Sequence, residues 1–453
     1  MKLTHLLAAA VAALFLSACN NAEEPQSNET RSADYVIKNV TLVDWLKGEP
    51  NVIDQQTLVV SDGYISGVFS DAEAPAFDDN TQIIDAQGQY VLPGMAEMHG
   101  HVPPATDFGD FPKRYADDML FLYIANGVTT VRGMLGYPHQ LQLKSDIESG
   151  KRLGPTLYLA GPSFSGNTIE SVEQVTERVI AQRDEGWDLL KVHPGLTPEE
   201  YEAMASTARQ ADMDFAGHVP AEVGLKRAME AGQRTIDHLD GYLAYVDAMN
   251  REITQDELDL LVAMTLEHDV AVVPTQALWK TLIGAADPDK LKDYPEIQLV
   301  PTAVREGWLN YYNNPSSYFN QEQAQVQQEN RQKLLHALHE GGAEIIFGTD
   351  APQLFSVPGY SVHHEIRLMS EAGIPMADIL RSATVAAGDY FSEQDTFGRV
   401  AAGHRADFIL LKDNPLENPD TLRENLGVMV RGQWLSREAI DKKVEEIRAA
   451  YAQ

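Results

Sequence analysis

The sequence predicts an α/β fold, a (β/α)8 barrel with a small β-sandwich domain assembled from both chain ends. Three observations carry this. Short apolar, β-rich runs alternate with longer helical stretches through the middle of the chain, the texture of parallel β/α units. Strand-rich segments without helices bracket that region on both sides. The length, 453 residues, fits one large barrel with an appendage.

Taken in order, residues 1–18 have the shape of an export leader. Lys2 starts it, the apolar run 6–16 is too short to span a bilayer, and small residues follow. The stretch Leu16-Ser17-Ala18-Cys19 is either a plain signal-peptide end or the box of a bacterial lipoprotein, which it resembles. In the second reading Cys19, the one cysteine, carries the lipid, and the membrane is met through that anchor alone. Asn20 behind it favours the outer membrane by resemblance to sorting rules. Residues 19–33 are polar and read as a tether. Residues 34–92 are rich in β-branched side chains, and Asp62-Gly63 between two apolar runs marks a hairpin.

The barrel is assigned to residues 93–396 and its strands to 90–96, 128–132, 156–160, 189–193, 214–218, 234–238, 270–275 and 343–349. The interval between the seventh and eighth is unusually long. It contains a Gln-rich run, NQEQAQVQQENRQKLLHALHE, that reads as a solvated helix with an apolar edge; the role of the interval stays open. Residues 397–436 return to β texture and complete the sandwich, and 437–453 form a terminal helix.

Composition removes several functions. A net charge of −32 lacks the basic footprint that nucleic acids or anionic lipid surfaces require. One cysteine excludes a disulfide scaffold, a Cys-rich zinc site and an iron–sulfur cluster. Any metal site must therefore use imidazole and oxygen.

In a barrel, function gathers where strands end. His99-Gly100-His101 closes the first strand, and two histidines at i and i+2 of an extended chain point to one side, so both can grip one ion. Lys191 lies in the fourth strand, and His218, His238 and Asp350 end the fifth, sixth and eighth. Metal-competent residues at equivalent ends of separate strands point to a metal centre. The pairs His363-His364 and His336/His339 read instead as surface or supporting residues.

This pattern resembles the amidohydrolase superfamily, in its imidazolonepropionase-related and Xaa-Pro dipeptidase-like branch. The resemblance spans VLPGMAEMHGH, NGVTTVR, GTDAP, GIPMADILRSATVAAGDYF and GRVAAGHRADFILLKDNPL, nearly the whole chain after the leader. Glu97 stands where many members have Asp. The resemblance implies one ion on His99, His101 and Asp350 and a second on His218 and His238. Lys191, carbamylated, would bridge them; the bland alternative is a lysine paired with an acidic neighbour. Zinc suits such ligands, as do manganese and cobalt. It further implies amide (C–N) hydrolysis by a metal-bridging hydroxide, with Asp350 as proton shuttle. The implied substrate is a small amide or peptide, namely a dipeptide of the Xaa-Pro kind or an N-acyl amino acid. A cyclic amidase or lactonase, or an inactive binding lipoprotein, are the rival readings.

An aromatic-lined cleft is expected from Phe108, Phe111, Tyr137, His139, Phe164, His193, Tyr242 and Trp279. Tyr242 is either an oxyanion donor or a packed tyrosine. His193, Arg132 and His139 are candidates for supporting the ligands or binding substrate, Arg132 through a substrate carboxylate. Oligomeric state is not legible.

Overall fold

The structure, a computed structural model, describes residues 30–46, 48–103, 114–313 and 323–452. The leader, Cys19 and most of the tether lie outside the described residues, as do Phe108 and Phe111. No helix among the described residues is long and apolar enough to cross a membrane.

The first five strands are β1 (Tyr35–Leu46), β2 (Glu49–Ser61), β3 (Tyr64–Ser70), β4 (Gln82–Asp85) and β5 (Tyr90–Pro93). The hairpin at Asp62-Gly63 is present: both residues take positive φ, 52° and 80°, as the tight turn joining β2 to β3 requires. Seven further strands run through the centre of the chain: β6 (Met95–Gly100), β7 (Val128–Gly133), β8 (Thr156–Leu159), β9 (Leu189–Val192), β10 (Asp214–Gly217), β11 (Thr235–Asp237) and β12 (Ala271–Val273). The last three are β13 (Phe408–Leu411), β14 (Gly427–Val430) and β15 (Gln433–Ser436), followed by the helix Arg437–Tyr451.

Strands from both chain ends share one eight-stranded sheet, in the order β15-β14-β13-β5-β1-β2-β3, with β4 on β1. Their inward side chains, among them Val40, Leu58, Val91, Phe408 and Met429, pack into one cluster. The pairing is continuous through a single sheet and is not divided between two. The expected strand 90–96 is two strands. Gly94 breaks it, with its amide donating to Asp407 O, so that β5 joins the terminal sheet and β6 the central one. Residues 90–93 thus serve the joint between the two parts.

The central strands are parallel and buried, with helices in the connections. Local sequence starts these helices: Ser171 caps Val172–Glu185, and capping boxes at Thr197/Glu200 and Thr254/Glu257 open the two that follow β9 and β11. Regular pairing forms two sheets, β6-β7-β8 and β9-β10-β11-β12. Isolated bridges Ala160/Leu189 and Phe164/Val192 connect them.

The eighth segment, 343–349, forms no regular strand. Only Ile345 bridges, to Val272. Its other groups are taken elsewhere: Phe347 N donates to Ser382 O, and Thr349 N to the Glu97 carboxylate. Met98 N still reaches Phe347 O, and Asp350 N reaches His99 O at 2.6 Å. The connectivity expected of a (β/α)8 barrel is therefore present without one continuously closed ladder.

The Gln-rich run forms the helix Ala324–Glu340, with Gln325, Glu329, His336 and Glu340 on a solvated side, but its buried edge is less apolar than the sequence suggested. Gln327, Gln328, Asn330 and Arg331 are buried beside Leu334, Leu335 and Leu338. Asn330, for example, donates to the carbonyls of Ala248 and Arg251 and accepts from Ile253 N.

Candidate metal centre

Strand ends bring together His99 (β6), His101 (just after it), Lys191 (β9), His218 (after β10), His238 (after β11) and Asp350, all lining one cleft except the fully buried His238, which lies just behind it. The ligating atoms of His99, His101 and Asp350 lie within 4.8 Å of one another. Five imidazoles form an arc. Centroid separations run 5.7 Å from His101 to His99, 4.3 Å to His238, 4.5 Å to His218 and 5.1 Å to His193.

The backbone is bent to achieve this. His238 and Asp350 take left-handed φ of 64° and 63°, an uncommon conformation for such residues. Gly217, just before His218, has φ 124°, and a Cβ there would meet Val192 O at 2.6 Å. Only glycine lets the end of β10 pass β9 this closely.

His99, His218 and His238 are each oriented by a partner. His99 Nδ1 lies 2.6 Å from Asp237 Oδ2, so the carboxylate accepts and the Nε2 lone pair is turned to the cleft. His218 Nδ1 lies 2.6 Å from Asp240 Oδ2 in the same way. His238 Nδ1 meets Thr275 Oγ1 at 2.8 Å, and its Nε2 is buried without a hydrogen-bond partner. A buried imidazole nitrogen is costly to leave unpaired. The place of His238 in the arc, between His99 and His218, suits a divalent cation.

Burial, followed by nearby cations, holds His99 and His238 well below the usual imidazole range. They are neutral, as metal ligands must be. Burial likewise lowers His193. Lys191 is fully buried and its Nζ lies 3.1 Å from His99 Nε2. Burial, countered by Asp237 and Asp350, brings its ammonium down to about 8.

The supporting residues differ in part from expectation. Glu97 ties the first strand to the eighth segment by accepting from His99 N, Thr349 N and Thr349 Oγ1. Burial, against these hydrogen bonds, pushes its carboxyl up to about 8. Arg132 is not a substrate ligand: its Nε donates to Met98 O and its Nη2 to Thr235 and Asp237, inside the protein. It supports His99 through Asp237. Tyr242 is turned away from the cleft, fully buried, with its hydroxyl 2.8 Å from Thr265 Oγ1. That is the packed-tyrosine alternative. His139 heads the helix His139–Glu148 near Tyr137 and does not line the cleft. Phe164 is buried under Arg178, also off the cleft. Tyr137, His193 and Trp279 do line it. His364 pairs with Glu296 and His363 with Asn126, and neither lines the cleft.

Asp237, Asp240, Thr275 and Arg331 were not foreseen. Asp237 and Asp240 flank His238 in IDHLD, a local acidic cluster that signals imidazole partners. Thr275 and Arg331 carry no such signal. Arg331 donates to His238 O at 2.6 Å and to Pro274 O at 3.1 Å, from a helix far along the chain.

Fold and site together define a metal-site α/β protein of the (β/α)8 type. The model of the amidohydrolase family matches residues 90–435, and the chain belongs to that family. It is 23% identical over 430 residues to an adenine deaminase of Listeria welshimeri, covering 93% of this chain but only 61% of the deaminase. The bottromycin amidohydrolase structure matches with a TM-score of 0.70 at 24% identity, covering 92% of this chain and 90% of that one. A Xaa-Pro dipeptidase with methionine bound in its active site matches with a TM-score of 0.66 at 21% identity, covering 89% and 99%. These neighbours share the TIM-barrel fold.

Proposed function

We propose that the protein is a metal-dependent hydrolase of carbon–nitrogen amide bonds in dipeptides or N-acyl amino acids. The observation that carries this is the cluster of His99, His101 and Asp350 in the cleft, whose ligating atoms lie within 4.8 Å of one another, with His218 and His238 next in the arc. The relatives' names, a dipeptidase, an amidohydrolase and a deaminase, have carbon–nitrogen cleavage in common. We read the eight-stranded sheet as the family's small β-sandwich domain, and Cys19 as the lipid anchor of an exported protein.

His99, His101 and Asp350 would hold one ion, and His218 and His238 a second, with carbamylated Lys191 between them. The buried, partly neutral amine of Lys191 is suited to that modification. A divalent ion bound there supplies Lewis acidity and makes water acidic enough to attack near neutral pH. The chain's own groups do the rest. Asp350, fixed by His101 at 2.6 Å and by Gln353 Nε2 at 3.1 Å, takes the proton of the attacking water. It returns that proton to the leaving nitrogen, which departs poorly as an anion. His193, neutral and lining the cleft, offers an N–H to the substrate.

The test combines metal analysis of purified protein, intact mass and a screen of dipeptides, N-acyl amino acids, cyclic amides and lactones. Expected are stoichiometric zinc, manganese or cobalt, one CO2 added at Lys191, and amine release. Protein without a stoichiometric divalent ion would end the metal-hydrolase reading. An unmodified Lys191 with one ion per chain at saturating zinc and bicarbonate would end the two-ion reading.

A further inference from the structure

The cleft has a volume of about 870 Å³, large enough to enclose far more than the scissile amide. One wall is apolar and comes from the long interval between the seventh and eighth strands. Trp279 and Leu282 lie on the helix Gln276–Leu282, with Ile283 just after it, and Val304 and Trp308 lie four residues apart on the helix Thr302–Asn313. The wall begins at the metal centre itself, because the Trp279 ring is 5.4 Å from His238. It continues to Trp308, whose ring lies 5.7 Å from Phe355.

Charge is kept off this wall. Among the described lining residues the only Lys and Arg are Lys191 and Arg331. Lys191 sits against His99. Arg331 is held by His238 O and Pro274 O and lies 5.1 Å from the Trp279 ring, which fixes that ring in place. Asp240 is engaged by His218, and Asp350 by His101. Among the described lining residues both carboxylates are thus engaged, so a cationic side chain laid along the wall would lose its hydration with no free anionic partner in return.

We infer that the wall formed by Trp279, Leu282, Ile283, Val304 and Trp308 selects amides carrying a large apolar group, aromatic or branched aliphatic, beside the scissile bond. This rests on the hydrolase reading above and names its substrate class. The helices Gln276–Leu282 and Thr302–Asn313 are then specificity elements.

The test uses zinc-loaded protein and N-acetyl derivatives of L-alanine, L-leucine, L-phenylalanine, L-tryptophan, L-glutamate and L-lysine. The expected kcat/KM is about 10- to 100-fold higher for the large apolar members than for alanine, and lowest for lysine. Trp308→Ala should narrow the phenylalanine-to-alanine ratio about tenfold, chiefly through KM, with metal content unchanged. A flat series, or a preference for glutamate or lysine, overturns the inference while leaving amide hydrolysis standing. If no member is cleaved, calorimetric binding of 3-phenylpropionate against acetate decides. Binding of phenylpropionate at least about tenfold tighter supports the wall's role even though this amide class is lost. Equal binding overturns it.

Discussion

Asp237 Oδ2 sits 2.6 Å from His99 Nδ1, wholly out of solvent, and Arg132 in turn lies 3.4 Å from the same carboxylate. The first-strand histidine is thus aimed by the residue preceding the sixth-strand histidine. Asp237→Asn removes the charge that fixes the His99 tautomer and leaves Arg132 without its anion. Metal affinity should fall about 10- to 100-fold, read by competition with a chelating dye. An unchanged affinity would remove Asp237 from the centre.

Asp350→Asn tests the proton shuttle. Asparagine cannot accept the water's proton, so kcat should fall about 10²- to 10⁴-fold, while His99 and His101 retain most of the metal. Single-turnover amine release together with metal analysis checks this. Undiminished turnover in a metal-loaded variant would show that Asp350 is not the shuttle.

Tyr242 supplies the opposite expectation. Its hydroxyl is spent on Thr265 and not on the cleft. Tyr242→Phe should leave kcat/KM within about twofold and cost stability by about 1 kcal/mol, measured by urea denaturation. A large loss of kcat without a loss of stability would return Tyr242 to the site.

Glu365 governs a pH dependence away from the ligands. Its carboxylate accepts from Gln276 N and Ala277 N, behind the helix that carries Trp279. Burial, partly offset by those amides and by Arg331, pushes it up to about 7 from an ordinary 4.5. Between these values the folded chain keeps a proton that the unfolded chain has released, so stability falls as pH rises through this window. Above about pH 7 the whole cost is present. Glu365→Gln abolishes that slope: the variant's Tm should improve relative to wild type between about pH 5 and pH 8, at fixed zinc. A Tm difference independent of pH would refute the assignment.

Much of this site was legible before any coordinates. His99, His101, Lys191, His218, His238 and Asp350 are marked by their places at strand ends, and strand ends follow from local apolar runs and turns. The eighth segment was legible in position but not in form, because its amides bond to Glu97 and Ser382, partners distant in sequence. The buried edge of the Gln-rich helix was hidden for a related reason: Asn330 and Arg331 are turned inward, where they donate to carbonyls of distant segments.

By itself the sequence determined the candidate residues at the strand ends, the α/β class and the exclusion of a Cys-rich metal site, all properties of residue type and short-range order. Tertiary structure decided which way the supporting side chains turn. Tyr242 stands four residues after His238, close enough in sequence to suggest a role at the cleft. His238, Leu239 and Gly241 all take positive φ, of 64°, 55° and 80°, and the chain bends so that Tyr242 faces Thr265. Arg132 was legible as a cation at a strand end, yet its fork closes on Met98 and Asp237 within the protein. The apolar wall joins two helices separated in sequence, so no local pattern announces it. Backbone handedness at a few residues, and packing between distant segments, set those directions.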